Sequence, residues 1–203
     1  MQGPPSPYDA QSVPGQSDAN GTSPTRPVNP NNAILSWETG AGRSYLIPAG
    51  EIVGYELLLN LFDRHFVDPK EDYQTDGGTI WDHITDGQWG LDNDQYSVNQ
   101  FLHPYGGSMY YGFARSAGLN FWESFLYSVG GRFLWEIAGE TTNPSINDMV
   151  MTPIGGTFLG EPFFRMANLL LEDSDGKPGF WRELAAAVIS PPLGFNRLIF
   201  GNR

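Results

Sequence analysis

The sequence predicts a mainly α-helical domain, a compact bundle of five to seven short and medium helices joined by Gly- and Pro-rich loops. Apolar residues recur every three or four positions in several segments, which is the spacing of a helix with one buried face. No alternation of apolar and polar residues is long enough to require a β-sheet. The 25 glycines and 16 prolines favour short elements with frequent breaks.

Two regions of different composition divide the chain. Residues 1–43 are rich in Pro, Ser, Gly and Asn and contain few apolar residues. Such a segment cannot bury enough surface to offset the entropy lost on ordering. We therefore predict a disordered N-terminal tail or linker over 1–43, followed by a single helical domain over 44–203.

The helix boundaries follow from local start and stop signals. The predicted helices are 48–66, 79–89, 104–117, 120–139, 145–151, 162–172 and 180–189. Pro48 and Pro104 suit the first turn of a helix, where a backbone N–H has no intrahelical acceptor. Asn120 and Ser145 are suitable N-caps. Pro153, with the glycine pair that follows it, is expected to end the helix that begins at Ser145.

The chain is strongly acidic, and the charge is unevenly distributed. The formal net charge is −12, and the stretch from Asp63 to Asp94 holds nine acidic residues against Arg64 and Lys70. Such a segment repels a phosphate backbone, so we predict no nucleic-acid partner. It should also fail to attract anionic lipid headgroups.

Cysteine and long apolar runs are both absent from the sequence. Without cysteine, disulfides, thiolate catalysis and Cys-based metal sites are excluded. No apolar run approaches the roughly 18 residues of a transmembrane helix. The N-terminus lacks a basic region followed by an apolar core, so we expect no signal peptide in this numbering.

The helix predicted over 120–139 places acidic residues on an apolar face. At 100° per residue, one line contains Trp122, Phe125, Val129, Phe133 and Ile137. We interpret this line as the buried stripe; Glu136 lies on it, as does Glu140 if the helix continues. Two facing carboxylates in an apolar environment raise at least one pKa and can form a general acid. Alternatively, Arg132 neutralises Glu136 in a structural ion pair.

The next predicted feature is a helix of small residues beside a candidate base. Ser108, Gly112 and Ser116 recur every four residues, which predicts a groove that another backbone can approach closely. His103 precedes Pro104, so its backbone is expected to be extended. Its side chain could act as a base or ligand, or could hold this joint by a hydrogen bond.

These patterns define the candidate site residues. The catalytic candidates are His103, Glu136 and Glu140. The predicted polar network consists of Asn99, Tyr110, Arg115, Glu123, Asp148, Glu161 and Arg165. We expect Glu161 to pair with Arg165, and Asp148 to cap a helix or to pair with Arg115 or Arg197.

The metal motifs are incomplete. Asp92-Asn93-Asp94 begins like a calcium-binding loop, but the Gly and the final Glu that such a loop requires are missing. We therefore predict no metal and no cofactor. A metal site made by His103 with Glu136 and Glu140 would require assembly through the tertiary structure.

Spaced motifs in the second half of the chain resemble a known family. They are N-x3-H-P-Y-x-G-S-x-Y-Y-x2-A-R-S-x-G from Asn99, F-W-E-S, W-E-x3-E, P-S-I-N-D and T-P-x-G-G-x3-G-E, ending at Glu161. In this order they resemble the DUF3943 family of uncharacterised bacterial proteins, with a core over about 95–170 and an expected extension to the segment Gly194–Arg197. The resemblance implies the envelope of a Gram-negative cell. The family has no established activity, so no catalytic residue is carried over.

Three functional hypotheses remain open. The first is a non-enzymatic domain of the periplasm or outer membrane, a helical scaffold with a polar-network core that associates with the membrane or with a membrane protein. The second is a hydrolase acting on lipid or cell-wall material, with His103 as general base and Glu136 or Glu140 as acid or metal ligand. The third is a small-ligand binding module that uses Tyr110, Tyr111 and Arg115.

Overall fold

The computed structural model describes residues 43–92, 94–172 and 178–200. Over these ranges it contains seven α-helices and no β-strand, which confirms the predicted helical class. The helices are α1 (Leu46–Phe66), α2 (Gly77–Thr85), α3 (His103–Ser116), α4 (Phe121–Ala138), α5 (Ile146–Glu172), α6 (Phe180–Ile189) and α7 (Pro191–Phe200). The tail predicted over 1–43 lies outside the described residues, apart from its last position.

The central element is α3, which packs against α1, α4, α5 and α7. Its closest neighbour is α5, because Gly107 of α3 and Gly156 of α5 lie in direct backbone contact. A Cβ atom at either position would collide with the backbone of the other helix. Within the predicted groove, Gly112 contacts Pro192 of α7. Small residues thus set the distances between the central helices.

The prediction of two helices over 145–172 is wrong, since α5 runs unbroken from Ile146 to Glu172 with Pro153 and Pro162 inside it. A proline in a helix interior removes one backbone hydrogen bond and is locally unfavourable. Here Gly155 packs against Pro104, and Gly160 packs against Tyr111. This continuous contact with α3 outweighs the local cost of the two prolines.

The end of the chain contains a helix that the sequence did not predict. α6 ends at Ile189, as expected, but Pro191 then starts α7. A proline in the first turn of a helix is compatible with helix formation because the N–H groups there have no intrahelical acceptor. Gly194 lies directly against Ala187, so α7 folds back onto α6.

The backbone before Pro104 also differs from expectation. A π-helical turn over Val98–Leu102 continues directly into α3, and His103 is helical, with φ −64° and ψ −48°. The expectation of an extended backbone at His103 is therefore wrong. The residue before a proline only tends to avoid the helical region, and the tertiary contacts of His103 described below outweigh that tendency.

The helices α1 and α4 bury polar residues and expose apolar ones. On α1 the buried side chains include Glu56 and Asn60, whereas Leu57 and Leu58 are 62% and 68% exposed. On α4 the buried face carries Ser124, Ser128, Gly131, Arg132, Trp135, Glu136 and Ile137. Trp122 is 70% exposed. No helix in the described part of the chain is long and apolar enough to cross a membrane.

The predicted apolar stripe of α4 is therefore wrong as a whole. The prediction that the side chain of Glu136 faces the interior is correct. Trp122 and Phe133 are exposed, and Ile137 is buried. Glu136 is fully buried at 0% exposure. Charged groups can lie in this interior because they neutralise one another there.

Candidate functional site

A buried arginine on α4 organises the polar interior. The Arg132 Nη2 atom donates a hydrogen bond of 2.6 Å to Asp148 Oδ2 and contacts Glu136. Its Nη2 also lies 3.8 Å from Glu140 Oε1. Burial opposes ionisation of Glu136 and raises its pKa, although Arg132 counteracts this. One guanidinium therefore lies close to three carboxyl groups. The ion pair predicted between Arg132 and Glu136 is present.

Two loops join at this network. The amide of Gly90 donates to the carbonyl of Pro144 (3.1 Å), and the amide of Ile146 donates to the carbonyl of Gly90 (2.8 Å). Asn147 extends this junction, since its Nδ2 donates to Asp92 Oδ1 at 2.8 Å and its Oδ1 accepts from the Asp92 amide at 3.0 Å. These bonds hold the acidic segment around Asp92 against the start of α5.

His103 lies between a carboxylate of the segment after Gly90 and one in the first turn of α5. Its Nε2 atom is 3.3 Å from Asp148 Oδ2 and 3.5 Å from Asp94 Oδ2. Burial, together with the positive charge of Arg132, lowers the pKa of His103 to about 4, so the imidazole is neutral at neutral pH. Burial raises the pKa of Asp148 to about 8. Asp92, Asp94, His103 and Asp148 each offer one potential ligand atom, and these atoms lie within 4.8 Å of one another.

A small cavity opens onto this group. Its volume is about 160 Å³, and its lining includes Asp94, His103, Arg132, Glu140 and Thr152. Thr152 is 2% exposed, and its Oγ1 atom has no hydrogen-bond partner. The cavity therefore has a mixed polar and apolar lining, with an unsatisfied hydroxyl in its wall.

The three catalytic candidates occupy different positions relative to this cavity. His103 and Glu140 both line it. Glu136 lies outside its lining, where it accepts a hydrogen bond of 2.7 Å from the Ser145 amide and contacts Arg132. The carboxylates nearest to His103 are those of Asp148 and Asp94. The catalytic roles stay a prediction.

Three of the predicted network residues, Arg115, Glu161 and Arg165, form a second, separate cluster. Arg115 Nε and the Tyr111 hydroxyl donate to Glu161 Oε2 at 2.7 and 2.6 Å. Arg165 Nε donates to Glu161 Oε1 at 2.7 Å, as the spacing predicted. Burial opposes ionisation of Glu161, but the bonds from Arg115 and Tyr111 outweigh it and lower the pKa. The cluster joins α3 to α5 and leaves neither oxygen of Glu161 unpaired.

The remaining predicted residues are spread over the domain. Glu123 forms a capping box with Asn120 at the start of α4 and accepts a bond of 2.8 Å from the Tyr45 hydroxyl. Asn99 donates to the carbonyl of Asp94 at 3.4 Å. Tyr110 is buried and lines the small cavity. Glu123 thus stabilises a helix end at a distance from the interior network.

Sequence reasoning missed the contribution of Asp92, Asp94 and Asn147. In the sequence, Asp92 and Asp94 match only the start of the calcium-loop pattern, which requires its ligands within one short segment. His103 falls within that segment but is not an oxygen ligand, and Asn147 and Asp148 lie far along the chain. The one available signal was the Asn147-Asp148 pair at a predicted helix start, in the P-S-I-N-D motif.

The fold and the site together define a class of protein: a helical domain in which most charged residues between 103 and 172 are shielded from solvent while many large apolar residues of the same segment are exposed. Residues 88–192 match the family described as a domain of unknown function, DUF3943. The chain therefore belongs to the DUF3943 family, as the spaced motifs predicted. The match includes Arg132 and the group around His103, and it ends before the segment Gly194–Arg197 to which we expected it to extend. No curated protein and no solved structure matches the chain significantly.

Proposed function

We propose that this chain is a non-enzymatic scaffold domain that lies in the surface layer of a lipid bilayer. Its apolar exterior faces the acyl chains, and its charged network holds the interior together. The observation that carries the proposal is the inverted distribution of polarity over α3, α4 and α5. The envelope location, at the outer membrane or in the periplasm, follows the family resemblance and is part of the proposal.

The inversion is most evident between residues 103 and 172. Of the nine acidic and basic residues there, only Arg165 and Glu172 are exposed. Twelve large apolar side chains of the same segment are exposed: Tyr105, Phe121, Trp122, Leu126, Phe133, Ile146, Val150, Met151, Ile154, Phe158, Met166 and Leu169. Monomeric proteins in water rarely expose apolar surface on this scale, because it is unfavourable unless covered.

The outer face of α1 extends the same surface. Leu57, Leu61 and Phe62 are between 52% and 62% exposed, whereas Glu56 and Asn60 of the same helix are buried. Exposed tryptophans, among them Trp122 and the 77%-exposed Trp181, add a residue type that favours the membrane interface. Apolar exposure on several helices supports a bilayer, which contacts a protein over a wide area, more than a single groove for a peptide.

The acidic charge of the domain determines which lipid headgroups we expect it to bind. The acidic stretch from Asp63 to Asp94 repels anionic headgroups. The domain is therefore expected to bind zwitterionic lipid with this stretch in the water. Binding of this kind rests on buried apolar area and needs no helix that crosses the bilayer.

Flotation of the full chain with vesicles of phosphatidylcholine and phosphatidylethanolamine tests the proposal. We expect the protein to float with these vesicles and to float less as phosphatidylglycerol is added. The variant Leu57→Gln/Leu61→Gln is expected to lower the partition coefficient about tenfold or more, because it removes apolar area from the buried face. The matched control Asp82→Asn, at an exposed position of α2, is expected to leave it unchanged.

Two results would contradict the proposal. One is a monodisperse monomer that floats with none of the vesicles. The other is a dimer, measured by light scattering, that the Leu57→Gln/Leu61→Gln variant dissociates while lipid has no effect; the apolar surface would then be an interface between copies of the chain.

The two alternatives have less support. The cavity that His103 and Glu140 share has a volume of about 160 Å³, below the roughly 300 Å³ at which small-molecule pockets begin, and the neighbouring cavity of about 330 Å³ is lined by Glu140 without His103. A lipid or glycan substrate is larger still. Of the proposed ligand-binding residues, Tyr111 and Arg115 are buried and bonded to Glu161, so their polar atoms are already engaged within the domain.

A further inference from the structure

We propose that Asp92, Asp94, His103 and Asp148 bind one divalent transition-metal ion, with Mn²⁺ and Zn²⁺ as the representative ions. The proposal is independent of membrane binding, because it rests on the interior of the domain and not on its surface.

The geometry of the four side chains is suited to one ion. They come from three places in the fold: the segment after Gly90, the first turn of α3 and the first turn of α5. One potential ligand atom of each lies within 4.8 Å of the others. Around an ion with metal–ligand distances of about 2.1 Å, neighbouring ligand atoms lie about 3 Å apart and opposite ones about 4.2 Å apart. The observed limit of 4.8 Å is close to the larger of these spacings, so the group is near the size that one ion requires.

The charge around the group also favours a cation. Five carboxyl groups lie in and beside this group, and among the described residues Arg132 provides the one guanidinium in contact with them: Asp92, Asp94, Glu136, Glu140 and Asp148. Among the described residues, Asp92 and Asp94 form no ion pair with an arginine or lysine. A divalent ion would supply positive charge next to the two carboxyl groups that form no ion pair with Arg132.

Two unsatisfied polar atoms provide independent evidence for a ligand. Thr152 is 2% exposed, and its Oγ1 has no hydrogen-bond partner, although it lines the same cavity as Asp94 and His103. His103 Nε2 is likewise buried without a hydrogen bond. Buried polar atoms without partners are rare in folded proteins and indicate a bound water or ion. An ion bound by His103, with a water in the cavity that reaches Thr152, would satisfy both atoms.

The ligand types restrict the ion. One imidazole with three carboxylates and no thiolate suits Mn²⁺, Fe²⁺ or Zn²⁺, whereas Ca²⁺ and Mg²⁺ prefer oxygen ligands alone. Asn147 would orient the carboxylates, since its Nδ2 donates to Asp92 Oδ1 at 2.8 Å and to Asp148 Oδ1 at 3.2 Å. Asp148 Oδ2 also accepts from Arg132, and a carboxylate oxygen has lone pairs for both.

Calorimetric titration of the full chain, treated with a chelator and then dialysed, with MnCl₂ or ZnCl₂ at neutral pH tests the site. We expect one ion per chain, with a dissociation constant of about 10 µM or lower. Asp94→Asn is the main variant, because that side chain is 47% exposed and its replacement should leave the fold intact. We expect it, and His103→Ala, to weaken binding at least about tenfold. Asp82→Asn and His65→Ala are the matched controls, since both residues are exposed and outside the group.

A second measurement tests whether the imidazole of His103 is a metal ligand. Co²⁺ bound to the wild-type chain is expected to give a visible absorption spectrum that changes in His103→Ala and not in His65→Ala. The proposal is overturned if the wild-type chain binds no ion at about 1 mM. It is also overturned if Asp94→Asn and His103→Ala bind as the wild type does, or if the control variants weaken binding equally.

Discussion

The buried carboxyl of Glu56 makes the stability of this domain depend on pH. Glu56 lies on the inner face of α1 and is 6% exposed. Neither of its carboxylate oxygens completes a hydrogen bond of good geometry, although the Tyr110 hydroxyl lies beside it. Burial raises the pKa of Glu56 to about 8, against a reference value of 4.5.

The sign of the effect follows from this raised pKa. Between pH 4.5 and about pH 8, the folded state keeps a proton that the unfolded state has lost. The contribution of Glu56 to stability is therefore complete below pH 4.5 and is lost as the pH rises towards 8. The slope is at most about 1.4 kcal/mol per pH unit, or about 5 kcal/mol over the whole window. Glu51 and Glu140, with pKa values raised to about 7 by burial, add to the slope in the same direction.

The variant Glu56→Gln isolates this contribution, because the amide has the same shape and cannot ionise. We expect its free energy of unfolding to fall less steeply with pH than that of the wild type, by up to about 1.4 kcal/mol per unit between about pH 5 and about pH 8. At the upper end of this range the variant should be the more stable protein. Urea denaturation followed by circular dichroism at each pH, with a chelator present, measures the two slopes.

The control is Glu71→Gln, at an exposed position of the acidic stretch from Asp63 to Asp94. Its unfolding free energy should follow the wild-type pH dependence. If Glu56→Gln keeps the wild-type slope, or is the less stable protein at about pH 8, Glu56 is ionised in the folded state and the reasoning is refuted.

Two further stability predictions follow from the interior. Gly107→Ala should destabilise the domain by at least about 2 kcal/mol, because its Cβ would meet the backbone of α5; Gly106→Ala, with open space at its Cβ, should be neutral or stabilising by up to about 1 kcal/mol. Equal melting temperatures for the two variants would show that the contact between α3 and α5 is not tight. Arg132→Met should cost about 3–5 kcal/mol at neutral pH and less at about pH 5, since it leaves buried carboxylates without a cation. Arg165→Met, at a 58%-exposed side chain, should lower the free energy of unfolding by under about 1 kcal/mol. Similar urea midpoints for the two arginine variants would argue against a buried network.

The positions of most helices could be predicted because their signals are local. Asn120 caps α4 and Pro104 lies in the first turn of α3, as the sequence indicated. The break expected at Pro153 was wrong, because the packing of α5 on α3 decides whether a proline is tolerated. The inward position of Glu136 was predicted correctly from an apolar stripe that is itself partly exposed.

The sequence alone determined the helical class, most helix boundaries, the acidic charge and the family, since each depends on residues that are close together in the chain or on motifs in order. The tertiary structure decided which face of each helix is buried and which carboxylates meet. Asp94, His103 and Asp148 are separated by up to 54 residues in the chain, and their sequence spacing contains no information about their distance in space. They meet because close contact between small residues brings α3 and α5 together, and that contact is a property of the assembled helices.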